Sequence, residues 1–227
     1  MKPALAICIP HLGTAPYSFT DSLAGMMHWL GLEGYNRMVM LTGASSAGAF
    51  AARNGIMRNL LAAEAQVGYR FDFTLWLDSD MRFPPGTALA LMNHNKDIVG
   101  ATYRRRSAPF EMLGKPKQGT TGLAKVGELY PAESLPTGVL MVKREVYDEM
   151  SQPIWRVEMV EGTDKYVGED TIFCREAIKN GREVWLDTIL TQKVRHIAET
   201  ELEAEIEAPK PSILRPGAAH SPIILNG

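Results

Sequence analysis

The amino-acid sequence predicts an α/β fold with a mixed, mostly parallel central sheet flanked by helices. Short apolar runs alternate with helical patterns through the first hundred residues, as they do where strands and crossover helices build a parallel sheet. The second half alternates less regularly, which predicts a more mixed part of the sheet. The chain has 227 residues, 45% of them hydrophobic, which is enough for one domain with a substantial core.

The individual elements follow from apolar periodicity. Residues 4–9 form an uninterrupted apolar run that Pro10 ends, which predicts a buried first strand. A helix is predicted over 18–32, with Thr20 or Asp21 as its cap. Further strands are predicted over residues 37–41, 73–77, 97–101, 138–142, 154–160, 183–186 and 192–197. Further helices are predicted over residues 47–67, through Leu89 and Met92, over 145–150, and over 169–180 with Gly181 just beyond its end. Residues 103–134 lack steady periodicity and predict a long loop region with short strands.

Charge and cysteine content limit the kind of protein this is. The formal charge is −2, from 24 basic and 26 acidic residues, so the sequence carries no strong electrostatic signature of nucleic-acid or membrane-surface binding. We expect residues 1–198 to form the domain and residues 199–227 to form an acidic, then Pro-rich tail. Cys8 and Cys174 are expected to be buried free thiols in a reducing cytoplasm. No apolar run approaches the ~18 residues of a membrane span.

Two carboxylates follow the clearest predicted strand, residues 73–77. Asp78 and Asp80 are one residue apart, with Ser79 between them. Ligands of open α/β sheets bind beyond the carboxyl ends of the strands, and Mg²⁺ or Mn²⁺ prefers oxygen ligands. Asp is also common in the turns that end strands, so these residues alone leave a metal site and an ordinary turn both open.

The order of the motifs resembles that of GT-A glycosyltransferases, in particular the family-2-like and Anp1-like groups. The resemblance covers about residues 4–197. It rests on Asp78-Ser79-Asp80, Pro84-Pro85-Gly86, Asp97-Ile98-Val99-Gly100, Pro136-Thr137-Gly138, Gly168-Glu169-Asp170, Asp187 and His196. It implies a GT-A (Rossmann-like) fold and a metal-dependent enzyme that moves a sugar from a nucleotide-sugar to an acceptor hydroxyl.

The resemblance also implies roles for particular residues on the donor side. Asp80 is expected to bind the metal directly, with His196 as a further ligand and Asp78 at the metal, the ribose or the nucleotide; the metal would be Mn²⁺ or Mg²⁺. The expected donor-binding residues are Pro10, His11, Arg53, Asn54, Asp78 and Ser79. The planar guanidinium of Arg53 suits a diphosphate or a uracil edge. A UDP-sugar is favoured and a GDP-sugar stays open.

The acceptor side is implied less specifically. Glu169 and Asp170 stand where inverting relatives keep their base, with Asp170 favoured, although retaining relatives have similar folds. A base there would accept the acceptor hydroxyl's proton. Tyr103 and the arginine run Arg104, Arg105 and Arg106 could contact the diphosphate or an anionic acceptor, or could belong to a solvated loop.

Two other functions stay open at this point. One is a nucleotidyltransferase that makes sugar nucleotides, although the first turn, residues 10–14, lacks the Gly-rich pattern with Arg and Lys that such enzymes usually show. The other is a non-catalytic module that binds a nucleotide or sugar. The acceptor is likewise open between a surface glycan, a protein and a modified base in phage DNA. We expect a bacterial or phage-infected cytoplasm as the location.

Overall fold

The computed structural model describes residues 1–106, 111–117, 127 and 129–197. The strands are β1 (Leu5–His11), β2 (Met38–Ala44), β3 (Phe73–Leu77), β4 (Met81–Arg82), β5 (Ile98–Gly100), β6 (Lys115–Pro116), β7 (Leu129–Ser134), β8 (Val139–Lys143), β9 (Glu158–Met159), β10 (Tyr166–Val167), β11 (Val184–Asp187) and β12 (Arg195–His196). The helices are α1 (Tyr17–Leu32), α2 (Ala49–Val67), α3 (Thr87–Asn93), α4 (Glu169–Lys179) and α5 (Thr188–Thr191), and a 3₁₀ helix covers Arg144–Glu149.

A central eight-stranded sheet has the order β2-β1-β3-β8-β5-β11-β7-β6. Strands β2, β1, β3, β5 and β11 run in the same direction, and β8 lies antiparallel between β3 and β5. The carboxyl ends of β1, β3 and β5 and the start of β8 therefore meet at one edge of the sheet. A small second pairing, β4 with β12, lies beside that edge and brings the end of the described chain back to the β3 exit.

Helices cover both faces of this sheet. Alternate residues of β1 point into two different apolar clusters, so that Ala6 packs with Ile56 and Leu60 of α2 on one face. On the other face, Ile7 packs with Met26 and Leu30 of α1. A strand buried on both faces needs an uninterrupted apolar run, and this is the pattern that predicted β1. The expected α/β fold with helices on both sides of a mixed, mostly parallel sheet is confirmed.

Several predicted elements differ from the observed ones. Residues 129–134, predicted within a loop region, form the six-residue strand β7 of the central sheet. Residues 154–157 are not a strand, because the consecutive side chains of Ile154 and Trp155 both enter the core. The predicted helix at 145–150 is a 3₁₀ helix, and only Arg195–His196 of the predicted strand 192–197 pairs with another strand.

The predicted cap is wrong for α1, and the predicted helix end is right for α4. No side chain caps α1, which starts at Tyr17 after Pro16, and Thr20 Oγ1 donates to the Tyr17 carbonyl instead. Helix α4 ends as predicted, with Gly181 in the left-handed region at φ 83°. Cys8 and Cys174 are buried free thiols. In the described part of the chain, no helix has the length and apolar character needed to cross a membrane. The expected tail, residues 199–227, lies outside the described residues.

Candidate functional site

A cavity of about 820 Å³ opens at the edge where the carboxyl ends of β1 and β3 meet the start of α4. This volume lies in the range of pockets that hold small molecules and cofactors, roughly 300–1,000 Å³. Most of the residues that the sequence indicated line it: Pro10, His11, Arg53, Asp78, Ser79, Asp80, Tyr103, Arg106, Glu169, Asp170 and His196. The topology of the sheet brings these residues together from positions that are up to 186 apart in the chain.

Arg53 is the most deeply buried charged residue of the cavity wall. It lies in the second turn of α2, and its side chain is only 2% exposed. One terminal guanidinium nitrogen, Nη2, donates to Asp78 Oδ1 at 2.5 Å, and the other terminal nitrogen, Nη1, donates to Glu169 Oε1 at 2.5 Å. Arg53 therefore ties the end of β3 to the start of α4.

The electrostatics of this ion triad are those of a buried cluster. Burial favours the neutral form of Arg53, but Asp78 and Glu169 outweigh it and raise the pKa of the guanidinium, so Arg53 stays charged. Burial raises the pKa of the Asp78 carboxyl above its ordinary value; Arg53 opposes this shift and Asp80 adds to it. Because both terminal nitrogens, Nη1 and Nη2, already donate to carboxylates, Arg53 is committed to protein partners rather than to a ligand in the cavity.

Asp80 and His196 form a second polar pair. The pairing of β12 with β4 sets His196 opposite Met81, so its Nε2 lies 3.2 Å from Asp80 Oδ2. Arg106 Nη1 also contacts Asp80 Oδ2, at 3.0 Å. Burial raises the pKa of Asp80, but the contacts with His196 and Arg106 prevail, and its pKa lies below the ordinary value. Asp80 is therefore an ionised carboxylate at neutral pH.

The other ring nitrogen of His196 fixes what its Nε2 can do. Nδ1 lies 3.0 Å from the carbonyl oxygen of Arg104, which can only accept, so Nδ1 carries a proton. In the neutral ring Nε2 then has a lone pair facing the Asp80 carboxylate. A cation between the two atoms, or a proton on Nε2, makes this arrangement favourable. Metal-binding histidines commonly donate their second ring nitrogen to a carbonyl in this way.

The spacing of this pair also suits a divalent metal. With metal–ligand distances of about 2.1 Å, two neighbouring ligand atoms around an octahedral ion lie about 3 Å apart. Asp78, the other expected ligand, has one carboxylate oxygen held by Arg53. Among the described residues, no group of three or more His, Cys, Asp or Glu side chains converges as a ready metal cage. Asp80 and His196 thus lie together, whereas the third expected ligand, Asp78, is held in an ion pair with Arg53.

Tyr103 does not present its ring as an exposed stacking surface. It is buried at the cavity floor, where the Gly138 backbone N–H donates to its hydroxyl oxygen at 2.9 Å. A Cβ atom on Gly138 would lie 2.2 Å from that oxygen, so this close approach requires glycine. The Tyr103 ring contacts the His196 ring edge to face at 5.2 Å. Burial raises the pKa of the Tyr103 phenol well above its ordinary value, so the phenol is neutral.

Three other expected site residues do not line the cavity. Asn54 binds the backbone of Trp155: its side chain accepts from Trp155 N at 3.1 Å and donates to Trp155 O at 2.6 Å. Arg104 contributes its carbonyl to His196, and its side chain is exposed. Arg105 is likewise exposed, and its backbone N–H donates to Glu111. Of the arginine run, only Arg106 lines the cavity.

Asp170 and Glu169 begin α4 and differ in their partners. Glu169 is bound to Arg53, whereas Asp170 Oδ1 accepts from the Thr171 backbone N–H at 2.7 Å. A Cβ atom on Gly168 would lie 2.9 Å from Asp170 Oδ1, so glycine there leaves room for this carboxylate. Both acids lie in the first turn of α4, where negative charge interacts favourably with the helix dipole.

The first turn of α2 is a part of the site that sequence reasoning missed. Ser45, Gly48 and Ala49 line the cavity, so the amino end of a 19-residue helix faces it. Unpaired backbone N–H groups at such an end favour anions such as phosphate. The signal was present as Ser45-Ser46-Ala47-Gly48 before the helix, but it predicted only where the helix starts.

Comparison with solved structures identifies the architecture. The chain superposes on the A197 protein from STIV with a TM-score of 0.54 at 16% identity, covering 86% of each chain. It superposes on GalNAc-T7, crystallised with UDP, GalNAc and Mn²⁺, with a TM-score of 0.51 at 10% identity. The protein has a GT-A-like fold. The match covers 96% of this chain but 46% of the GalNAc-T7 chain, so it spans about half of that protein.

A third GT-A-like match is a nucleoside-diphosphate-sugar pyrophosphorylase from Vibrio cholerae RC9, with a TM-score of 0.50 and 12% identity. It covers 84% of this chain and 93% of the other. No protein-family model and no curated protein matches the sequence. At these identities the comparisons establish the GT-A-like fold alone.

Proposed function

We propose that this protein is a metal-dependent glycosyltransferase that moves a sugar from a nucleotide-sugar, with a UDP-sugar favoured, to an acceptor hydroxyl. The observation that carries the proposal is the pair of Asp80 and His196 in the cavity. The second nitrogen of His196 is committed to a carbonyl, so its Nε2 and the Asp80 carboxylate together present a site suited to a cation.

The donor half of the mechanism follows from the residues around this pair. Asp80 and His196 would hold Mn²⁺ or Mg²⁺, which when bound supplies positive charge to the leaving diphosphate. Arg106 and the first turn of α2 face the same cavity and add further positive charge and N–H donors. Pro10 and His11, at the end of β1, line the part assigned to the nucleoside.

The acceptor half of the mechanism depends on Asp170. Arg53 holds Glu169, so Asp170 is the carboxylate of this pair that can accept the acceptor hydroxyl's proton as the oxygen attacks the anomeric carbon. A single displacement by the acceptor oxygen, with Asp170 as its base, would invert the anomeric configuration. Arg53 fixes the relative positions of the β3 end and the α4 start, so that donor and base stay aligned.

Calorimetry tests the donor site. The protein is titrated with UDP, GDP and their sugar conjugates, with Mn²⁺ and after chelation. We expect one nucleotide to bind only with metal, and binding to be lost in Asp80→Ala and His196→Ala. His94→Ala is the matched control, because His94 forms a similar pair with Asp187 at 2.9 Å and neither residue lines the cavity.

A transfer assay then separates the functions. Asp170→Asn should keep metal-dependent nucleotide binding and lose sugar transfer. The fold shared with a sugar-nucleotide pyrophosphorylase makes the alternative testable as well: formation of a nucleotide-sugar from a nucleoside triphosphate and a sugar phosphate would replace the proposal. Nucleotide binding without either reaction would indicate a non-catalytic module. If folded protein binds no nucleotide under any condition, the proposal is wrong.

A further inference from the structure

An exposed apolar surface lies directly before the proposed catalytic base. Strands β9 and β10 form a short antiparallel hairpin in which Met159 pairs with Tyr166. Residues that are directly opposite in such a pair project from the same face. Met159 is 64% exposed and Tyr166 is 67% exposed, and Val157, two residues before Met159, is exposed as well. We call Val157, Met159 and Tyr166 the hairpin face.

The hairpin face is near the site because of its place in the chain. Tyr166 precedes Asp170 by four residues, and an extended residue spans at most about 3.6 Å, so their Cα atoms lie within about 14 Å. A di- or trisaccharide spans that distance. A chain of two or three sugars on the hairpin face is therefore long enough to bridge a separation of this size.

The hairpin is also held in a fixed position on the body of the protein. The Trp155 side chain is buried, and Asn54 binds the Trp155 backbone through two hydrogen bonds. Arg156 Nη1 donates to Glu176 Oε2 on α4 at 2.8 Å. These contacts fix the segment that leads into β9, and β10 is continuous through Gly168 with α4. The exposed side chains of Met159 and Tyr166 therefore lie on a segment that is anchored to the body of the protein.

The segment that carries this surface has an excess of acidic residues. Residues 157–170 contain five acidic residues and one lysine, Lys165. Glu158 is paired with Arg156, and Glu169 with Arg53. Glu161, Asp164 and Asp170 remain against Lys165. An excess of carboxylates repels a polyanion. It therefore disfavours nucleic acid as the ligand, because nucleic-acid binding needs a basic surface.

We propose that the hairpin face binds a neutral carbohydrate acceptor. The Tyr166 ring would lie against the apolar C–H face of one sugar ring, and Met159 and Val157 would flank it. Exposed aromatic rings and a few polar groups are the usual means of holding an uncharged ring. A hydroxyl of the bound chain then reaches Asp170. This inference rests on the proposed glycosyltransferase function. Among the acceptors that the sequence left open, a glycan, a protein or DNA, it selects an uncharged glycan.

The test measures acceptor binding separately from donor binding. Saturation-transfer NMR on the full chain uses maltotriose, cellotriose and chitotriose as neutral probes, and heparin fragments and a 20-base-pair DNA duplex as anionic probes. At least one neutral trisaccharide should bind, and Tyr166→Ala should weaken its binding by about tenfold. Tyr166→Phe, which keeps the ring, should bind as the unaltered protein does. Met40→Ala is the control, since Met40 is an exposed methionine on the edge strand β2 and does not line the cavity.

Several results would overturn the inference. They are binding that Tyr166→Ala leaves unchanged, binding of the anionic probes alone, or no binding of any neutral trisaccharide. Nucleotide calorimetry on the same Tyr166→Ala protein distinguishes this failure from a failure of the proposed function. Retained nucleotide binding with lost trisaccharide binding supports the inference, whereas loss of both, in a variant whose melting temperature is unchanged, would place Tyr166 in the donor site and contradict it.

Discussion

The buried ion triad of Arg53, Asp78 and Glu169 makes a quantitative prediction. Arg53→Met keeps most of the side-chain volume and removes the guanidinium from both carboxylates. Two carboxylates then face each other in a buried wall without their counter-charge. Removing one partner of a buried ion pair leaves an uncompensated charge, and this usually destabilises a protein by about 3–5 kcal/mol.

The structure sets the expected value within that range. Arg53 is 2% exposed, but the side chains of Asp78 and Glu169 are 26% and 20% exposed, so water can partly solvate the carboxylates. We therefore expect the lower end, about 3 kcal/mol. In a chain of this size, 1 kcal/mol corresponds to about 2–4 °C in melting temperature, so the melting temperature should fall by about 6–12 °C.

The assay is urea unfolding followed by circular dichroism, with a matched control. Arg156 also contacts two carboxylates, those of Glu158 and Glu176, but its side chain is 28% exposed. Arg156→Met should therefore lower the free energy of unfolding by only about 1 kcal/mol. A loss in Arg53→Met no larger than that of the control would refute the reasoning.

A rescue experiment isolates the charge effect from the loss of packing. Adding Asp78→Asn and Glu169→Gln to Arg53→Met removes the uncompensated charges, and most of the lost stability should return. If the triple variant stays as unstable as Arg53→Met, the loss came from packing, and the ion triad has no such role.

Two further predictions concern α4. In Gly168→Ala the backbone conformation is allowed, but the added Cβ would displace the Asp170 carboxylate. The rate of sugar transfer should therefore fall about tenfold or more. The melting temperature should stay near that of the control Gly86→Ala, whose Cβ meets open space. Burial raises the pKa of Glu176, but its hydrogen bonds and Arg156 lower it below 4.5. The charge of Glu176 therefore stabilises the fold above pH 4.5. Glu176→Gln should lower the free energy of unfolding by about 1.5 kcal/mol at pH 7. Urea unfolding at a series of pH values should show that the difference between the two proteins disappears as the pH falls below 4.5.

The sequence predicted best those strands that are buried on both faces. Strand β3 has the predicted bounds, and β1 differs from its prediction by one residue at its start and two at its end, because an uninterrupted apolar run has few other uses in a chain of this composition. Strand β7 was missed because it carries Pro131 and polar residues and has only β6 beyond it in the sheet. Proline is tolerated at such marginal positions, so local pattern does not reveal the strand.

Site residues could be predicted where both the residue type and its position at the end of a strand or helix indicate a chemical role. Asp80, His196 and Asp170 lie in one cavity, as their motifs suggested. Asn54 was assigned to the donor because it follows Arg53 in the motif, but its partner is the backbone of Trp155, 101 positions away. A hydrogen bond between such distant residues depends on how the segment after the 3₁₀ helix packs against α2, and this has no local signature.

The role of Arg53 shows what decides between two partners for one charged group. The motif suggested a diphosphate or a uracil edge as its partner, whereas the structure pairs it with two protein carboxylates. A guanidinium that is 2% exposed needs a counter-charge at all times, because burial without it is very unfavourable. A donor that binds and leaves in each cycle would uncover the charge repeatedly, whereas Asp78 and Glu169 supply it permanently. The same contacts join the strand that ends at the Asp-Ser-Asp motif to the helix whose first turn carries the proposed base. Arg53 is therefore best understood as the residue that keeps the end of β3 and the start of α4 in register.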